Sequence, residues 1–181
     1  MRVRVSRVVL VGLPGAGKTT IGRLLAARLG WAFTDPDATV TGQTGLDIAA
    51  IFRNEGEPAF RELERRAVAE ALQGERVVVA PGAGWAAQPR ALDALPPHTV
   101  LVWLQVSAVE AMRRLEQDPV ERPLLAQADM ATRLMQLESE RTLSYAQANI
   151  VVSTDGSTPE AVTADIADRL ASEYGIDGRS D

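Results

Sequence analysis

Between residues 12 and 19 the chain reads Gly-Leu-Pro-Gly-Ala-Gly-Lys-Thr, the spacing GxxxxGK[ST]. Glycines at these places let backbone N–H groups crowd round an anion where side chains would block them. A helix beginning at the lysine adds the positive end of its dipole. Lys18 can reach the β- and γ-phosphates of a nucleotide, and Thr19 can offer its hydroxyl to Mg²⁺. Gly12, Gly15, Ala16, Gly17, Lys18, Thr19 and Thr20 thus form a candidate phosphate site, and the chain is expected to bind ATP with Mg²⁺.

Phosphoryl transfer also calls for an acid near the metal and a group to accept the proton of the attacking hydroxyl. Asp35 and Asp37 are the carboxylates that fall at the end of an apolar run. Separated by one residue, they can share a turn while pointing differently, one toward the metal's water shell and one toward a substrate hydroxyl. Either could equally cap a following helix. Arg61 has Glu64 three residues on, a spacing that can fix a guanidinium or simply make a surface ion pair. Arg141 and Tyr145, four apart late on a long helical stretch, read by themselves as solvated. Two arginines converging on one pocket would suit a carboxylate, which the planar guanidinium binds bidentately. Arg122, bracketed by Pro119 and Pro123, could be delivered by a closing segment over residues 118–129. There it would stabilise a transferring phosphoryl group, an effect of roughly 10³–10⁵ in rate in related chemistry.

Alternating apolar runs supply the elements that must position these groups. Short β-rich runs predict strands at 8–11, 31–34, 77–80, 100–106 and 150–152. Helical spacing predicts helices at 18–29, 47–54, 58–72, 89–95, 108–116, 130–149 and 159–174. Strands such as Val77-Val78-Val79 and Val100-Leu101-Val102-Trp103-Leu104 are apolar at successive positions, as when both faces are covered by helices. The fold expected is α/β, a parallel three-layer α/β/α sandwich in a single domain over residues 1–175, with a frayed tail from 176 to 181. In such sheets ligands gather at the carboxyl ends of strands, where the phosphate loop, Asp35 with Asp37, and Gly82-Ala83-Gly84 all fall.

Composition narrows the chemistry. The chain has 181 residues and a net charge of −5, which gives no general attraction to nucleic acid, so no such partner is expected. With no cysteine, thiolate nucleophiles and cysteine-based zinc sites are excluded. His98 is the only histidine and falls in Leu-Pro-Pro-His-Thr, a loop reading. No apolar stretch reaches transmembrane length, and neither a heptad nor a long apolar patch is visible. A soluble, cytoplasmic monomer is expected.

The order of these motifs resembles the shikimate kinase family. The residues that carry the resemblance are the phosphate loop through Ala26, Asp35-x-Asp37, Thr44-Gly45, Gly56-Glu57-x-x-Phe60-Arg61-x-x-Glu64, the turn at 82–84, Arg122-Pro123-Leu124-Leu125, and Arg141 with Tyr145. They span about residues 7 to 172. The resemblance implies a five-stranded parallel sheet of order 2-3-1-4-5, a substrate segment over about 35–64 and ATP-dependent phosphorylation of the shikimate 3-hydroxyl. It also implies Asp37 as base, Asp35 and Thr19 at Mg²⁺, and Arg61 and Arg141 on the substrate carboxylate. Gly82, Ala83 and Gly84 would present backbone N–H groups, Lys18 and Arg122 would face the phosphates, and Arg114 would lie against adenine.

The sequence departs from the family pattern in three places. The family usually has three consecutive glycines where this chain has Gly82-Ala83-Gly84. If the middle position needs φ > 0, alanine costs on the order of 1 kcal/mol. Pro81 and Trp85 flank this turn, and Trp85 could change the pocket's volume. The stretch 153–157 lacks an arginine that some members place near adenine. A kinase of another hydroxylated acceptor, such as gluconate, a cyclitol or a nucleoside monophosphate, therefore stays open. A catalytically silent nucleotide-binding protein is the non-enzyme alternative.

Overall fold

The computed structural model describes residues 5–118 and 129–176. Five strands, β1 (Arg7–Val11), β2 (Ala32–Thr34), β3 (Val77–Val79), β4 (Thr99–Gln105) and β5 (Ile150–Ser153), pair in parallel in the order β2-β3-β1-β4-β5. The register sets Val8 beside Val78 and Val100, and Val9 beside Val79 and Leu101. Val8, Val9 and Leu10 are all fully buried, as successive residues of a central strand must be when both faces are covered.

Among the described residues seven helices flank the sheet and its edge: α1 (Lys18–Leu29), α2 (Pro36–Thr44), α3 (Ile48–Glu55), α4 (Glu57–Ala71), α5 (Ala108–Glu116), α6 (Met130–Tyr145) and, after the last strand, α7 (Pro159–Tyr174). The crossover from β1 through α1 runs toward the β2 edge, whereas that from β4 through α6 runs toward the β5 edge. Right-handed connections place those two helices on opposite faces. The α1 helix packs beside α7, while α4 and α6 both meet the 3-10 turn Trp85–Ala87. A second apolar cluster of Val40, Ile51, Phe60 and Ala67 lies between α2, α3 and α4, so the expected substrate segment has its own small core.

Four expectations need correction. No helix forms at 89–95: Arg90 takes φ 63°, and the chain instead makes the 3-10 turn and further short turns. The α2 helix was not expected, because Thr39, Val40, Thr41, Gly42 and Thr44 are poor helix formers. It forms because Asp35 caps it, Pro36 occupies its first position and Val40 is fully buried. The α6 helix ends at Tyr145 rather than 149, since Asn149 instead pairs with Leu101 of β4 through both its backbone N–H and its side-chain oxygen. Ile176, read as the start of a tail, is buried in the core, and residues 177–181 lie outside those described. So does the expected closing segment apart from its end residues, and Arg122 with it.

Candidate active site

The loops after β1, β2, β3 and β5, together with α5, wall one cavity of about 1050 Å³. On its floor lies the phosphate loop, with φ of 152° at Gly12, 82° at Gly15 and 89° at Gly17. Gly15, Ala16, Gly17, Lys18, Thr19 and Thr20 line the cavity. Gly12 stands behind them, and its carbonyl accepts from Lys18 Nζ at 2.8 Å, which together with the Leu13 carbonyl at 3.2 Å seats the ammonium over the loop. His98 lies at the amino end of β4, far from this opening, with its carbonyl accepting from Ser6 and Arg7.

Asp35 serves two ends at once. Its Oδ1 accepts from the N–H groups of Asp37 and Ala38 and so caps α2, while Oδ2 accepts from the Thr19 hydroxyl at 3.0 Å. Among the described residues no group of three or more His, Cys, Asp or Glu side chains could hold a metal ion. Two oxygens from Asp35 and Thr19, with the remainder from phosphates and water, are the donor set that Mg²⁺ takes in phosphoryl-transfer sites. The residues fit that ion.

Asp37 follows in the first turn of α2, half-buried at the cavity wall. Burial, then the neighbouring carboxylates of Glu64 and Asp35, raise its pKa from 3.8 to about 7, against the opposing pull of Lys18 and Arg61. That value suits a group that must take a proton near neutrality.

Across the cavity Arg61 donates from Nη1 to Glu64 Oε2 at 2.7 Å, and from Nε and Nη2 to Glu57 at 3.2 and 3.1 Å. Burial works against its charge, but the two carboxylates outweigh it and hold the guanidinium above its ordinary pKa. Glu64 is fully buried, so this is no surface pair. Arg141 and Tyr145, which read as solvated, are 5% and 1% exposed. The Tyr145 hydroxyl donates to the Ala83 carbonyl at 2.6 Å, tying the Arg141 helix to the glycine turn. Burial pushes that phenol up to about 12.

The turn itself explains its composition. Neither Gly82, Ala83 nor Gly84 has positive φ, so the cost foreseen for alanine does not arise. The outer glycines are required by close approach. A Cβ at Gly82 would overlap Glu64 Oε1, and one at Gly84 would lie 2.5 Å from Arg61 Nη2. All three residues line the cavity, as does Pro81. Trp85 does not: it turns into the main core at 3% exposure, which corrects the expectation that it could alter the pocket. Phe52 and Phe60, with ring centroids 5.0 Å apart, add an apolar wall.

Arg114 joins the other side of the cavity. It donates to the Thr154 carbonyl at 2.7 Å, the Thr154 hydroxyl at 3.1 Å and the Gly15 carbonyl at 3.2 Å, bridging the loops after β1 and β5. Glu110 accepts from Arg113 and Arg114, whose N–H groups bring its pKa down to about 2. Among the described residues three buried side-chain atoms have no hydrogen-bond partner: Asp37 Oδ1, Glu64 Oε1 and Arg141 Nη1. All three residues line this one cavity.

A shikimate kinase family model matches residues 14–171. The chain belongs to the shikimate kinase family. The shikimate kinase of Gloeobacter violaceus is 42% identical over 167 residues, which are 91% of this chain and 94% of that protein. The solved shikimate kinase from Acinetobacter baumannii, in complex with shikimate, matches with a TM-score of 0.88 at 30% identity, covering 93% of this chain and 94% of that one. A gluconokinase from Sinorhizobium meliloti matches with a TM-score of 0.62 at 17% identity, a likeness of fold alone.

Several residues of this shikimate kinase site escaped the sequence reading. Glu57, the first residue of α4, stands there only within the family motif, and its place four before Arg61 is a spacing that could have flagged their pairing. Gln88 donates to Glu64 Oε2 at 2.7 Å from 24 residues away, and nothing local in the sequence signals that. Thr154 likewise meets Arg114 only through the fold.

Proposed function

We propose that the residues of this cavity divide the work of the family's reaction as follows. The reaction is ATP-dependent, Mg²⁺-requiring phosphorylation of the 3-hydroxyl of shikimate to shikimate 3-phosphate, in aromatic amino acid biosynthesis. Arg61 and Arg141 receive the carboxylate of shikimate, and the apolar wall of Phe52 and Phe60 meets its ring. The 3-hydroxyl lies against Asp37, which accepts its proton as the oxygen attacks the γ-phosphorus in line. Lys18 and the phosphate-loop N–H groups stabilise charge that develops on the phosphoryl oxygens. Thr19 and Asp35 would hold Mg²⁺, which neutralises phosphate charge when bound. Arg114 lies against adenine, and Arg122, outside the described residues, supplies a further positive charge to the transferred group. The closing segment about 118–129, the monomeric state, the cytoplasmic location and the absence of a nucleic-acid partner belong to the same reading. Among the described residues no helix is long and apolar enough to cross a membrane.

The observation that carries this assignment is the convergence on one cavity, beside the phosphate loop, of Asp37, Glu64 and Arg141, each with one buried atom lacking a partner. Buried polar groups are normally satisfied, so a ligand with hydroxyl donors and an acceptor anion completes the set. Coupled ADP release with Mg²⁺-ATP, tested in parallel with shikimate, quinate, gluconate and AMP, checks it. Strong stimulation by shikimate alone is expected. Activity on another acceptor with none on shikimate would overturn the assignment of the carboxylate and hydroxyl subsites.

A further inference from the structure

Glu64 is a carboxylate with no exposure to solvent, and it carries the Arg61 guanidinium. A single donor from the same helix would leave it poorly fixed. Its two oxygens interchange by rotation about the last side-chain bond, a broad torsion, and an Arg–Glu pair three residues apart keeps several rotamers. The structure supplies a second donor from a different element. Gln88 Nε2 reaches Glu64 Oε2 at 2.7 Å, the same distance as Arg61 Nη1 to that same oxygen. With two donors on Oε2, Oε1 is left unpartnered and faces Gly82, where an added Cβ would overlap it.

Gln88 is itself well anchored. Its backbone N–H bonds the Trp85 carbonyl at 3.0 Å and closes the 3-10 turn, and Trp85 is sunk in the main core. The turn therefore carries two ties to the substrate side of the cavity, Tyr145 to Ala83 and Gln88 to Glu64. A carboxamide is well chosen for the second. Its side-chain N–H₂ supplies the second donor on Oε2 from an element other than α4.

We infer that Gln88 is a positioning residue for the substrate carboxylate, acting through Glu64 to hold Arg61. This rests on the assignment of Arg61 to the carboxylate of the acceptor. Because that contact is remote from the transferring hydroxyl, it contributes similarly to ground state and transition state, and its loss reads in KM rather than kcat.

The test uses three variants: Gln88→Met, of similar shape but without a donor; Gln88→Glu, with acceptors only; and Gln88→Lys, which restores a donor. Steady-state kinetics, the shikimate Kd by titration and the thermal midpoint are measured for each beside wild type. Gln88→Met is expected to raise the KM and Kd for shikimate about tenfold, with kcat and the KM for ATP within about threefold. Gln88→Glu should raise the KM further, and Gln88→Lys should return it to within about threefold of wild type. A wild-type KM in Gln88→Met overturns the inference. So does an equal rise for ATP and shikimate, or a Gln88→Lys variant as impaired as Gln88→Met, since either marks a packing role. Wild-type turnover on shikimate in the same assay tests the acceptor assignment separately.

Discussion

Replacing Asp37 by asparagine should stabilise the protein while it abolishes turnover. In the folded chain this carboxyl keeps its proton up to about pH 7, whereas its ordinary value is 3.8. Between those limits the folded state binds a proton that the unfolded chain has released. Wild-type stability therefore falls as pH rises through the window and is level above it. The interval, at about 1.4 kcal/mol per unit, bounds the cost of the charged form at about 4 kcal/mol. The side chain is only half-buried, so water discounts this, and about 2 kcal/mol is expected at pH 8. Asparagine carries no such charge. Urea unfolding of metal-free protein at about pH 4.5 and pH 8 should show a stability difference that opens as pH rises, and a rise in Tm of roughly 4–8 °C at the upper pH. In the same variant kcat should fall by about 10²–10⁴ with ATP affinity held. A variant no more stable than wild type at pH 8, or a difference equal at both pH values, would refute the electrostatic account of Asp37. Turnover like wild type would remove its role as base.

Other perturbations test the rest of the site. For the wild type, kcat/KM should decline on the acid side with an apparent midpoint at or below about pH 7, measured from a pH–rate profile at saturating Mg²⁺-ATP, because protonated Asp37 cannot accept a proton. Arg61→Ala and Arg141→Ala should each raise the KM for shikimate by about 10–10²-fold and leave that for ATP unchanged; an unchanged shikimate KM in both would dismiss the clamp. Gly82→Ala sets a methyl against buried Glu64 Oε1, and urea titration should show a loss of about 1–3 kcal/mol together with weaker shikimate binding. Ala83→Gly, at a position without positive φ, should keep the shikimate KM and lose about 0.5 kcal/mol through added freedom of the unfolded chain. Tyr145→Phe strands the Ala83 carbonyl and should cost about 1 kcal/mol, read by thermal unfolding.

What the sequence made legible was whatever depends on short spacing. The phosphate loop is a local object, its geometry fixed by Gly15 and Gly17 within one turn, and its residues fall where the motif places them. The parallel sheet followed from strands apolar at every position, and its order from family resemblance. The α2 helix was missed because its own residues favour other conformations, and its stability comes from a cap and from Val40 packing against α4. Arg90 shows the converse, a good helix former held at φ 63° where no helix can continue. The burial of Arg141 and Tyr145 was hidden for a different reason. Which side of α6 faces the sheet depends on the 3-10 turn it packs against, more than 40 residues earlier in the chain.

The composition of the glycine turn bears on which acceptor the site can read. Its outer positions are set by the two groups that touch them, Glu64 at Gly82 and the Arg61 guanidinium at Gly84, so a side chain at either would have to displace one of these groups. The middle position lines the cavity without positive φ, and its carbonyl accepts from Tyr145, so alanine is accommodated there without backbone strain. The selectivity then lies in the unpartnered atoms. A neutral polyol could donate hydroxyls to Asp37 Oδ1 and Glu64 Oε1 but would leave Arg141 Nη1 buried without an anion, at a cost of about 1–3 kcal/mol or more for a charged group. On the proposed reading, an acid with hydroxyls on a compact ring offers both kinds of partner, and an acceptor without the carboxylate leaves Arg141 Nη1 unpaired.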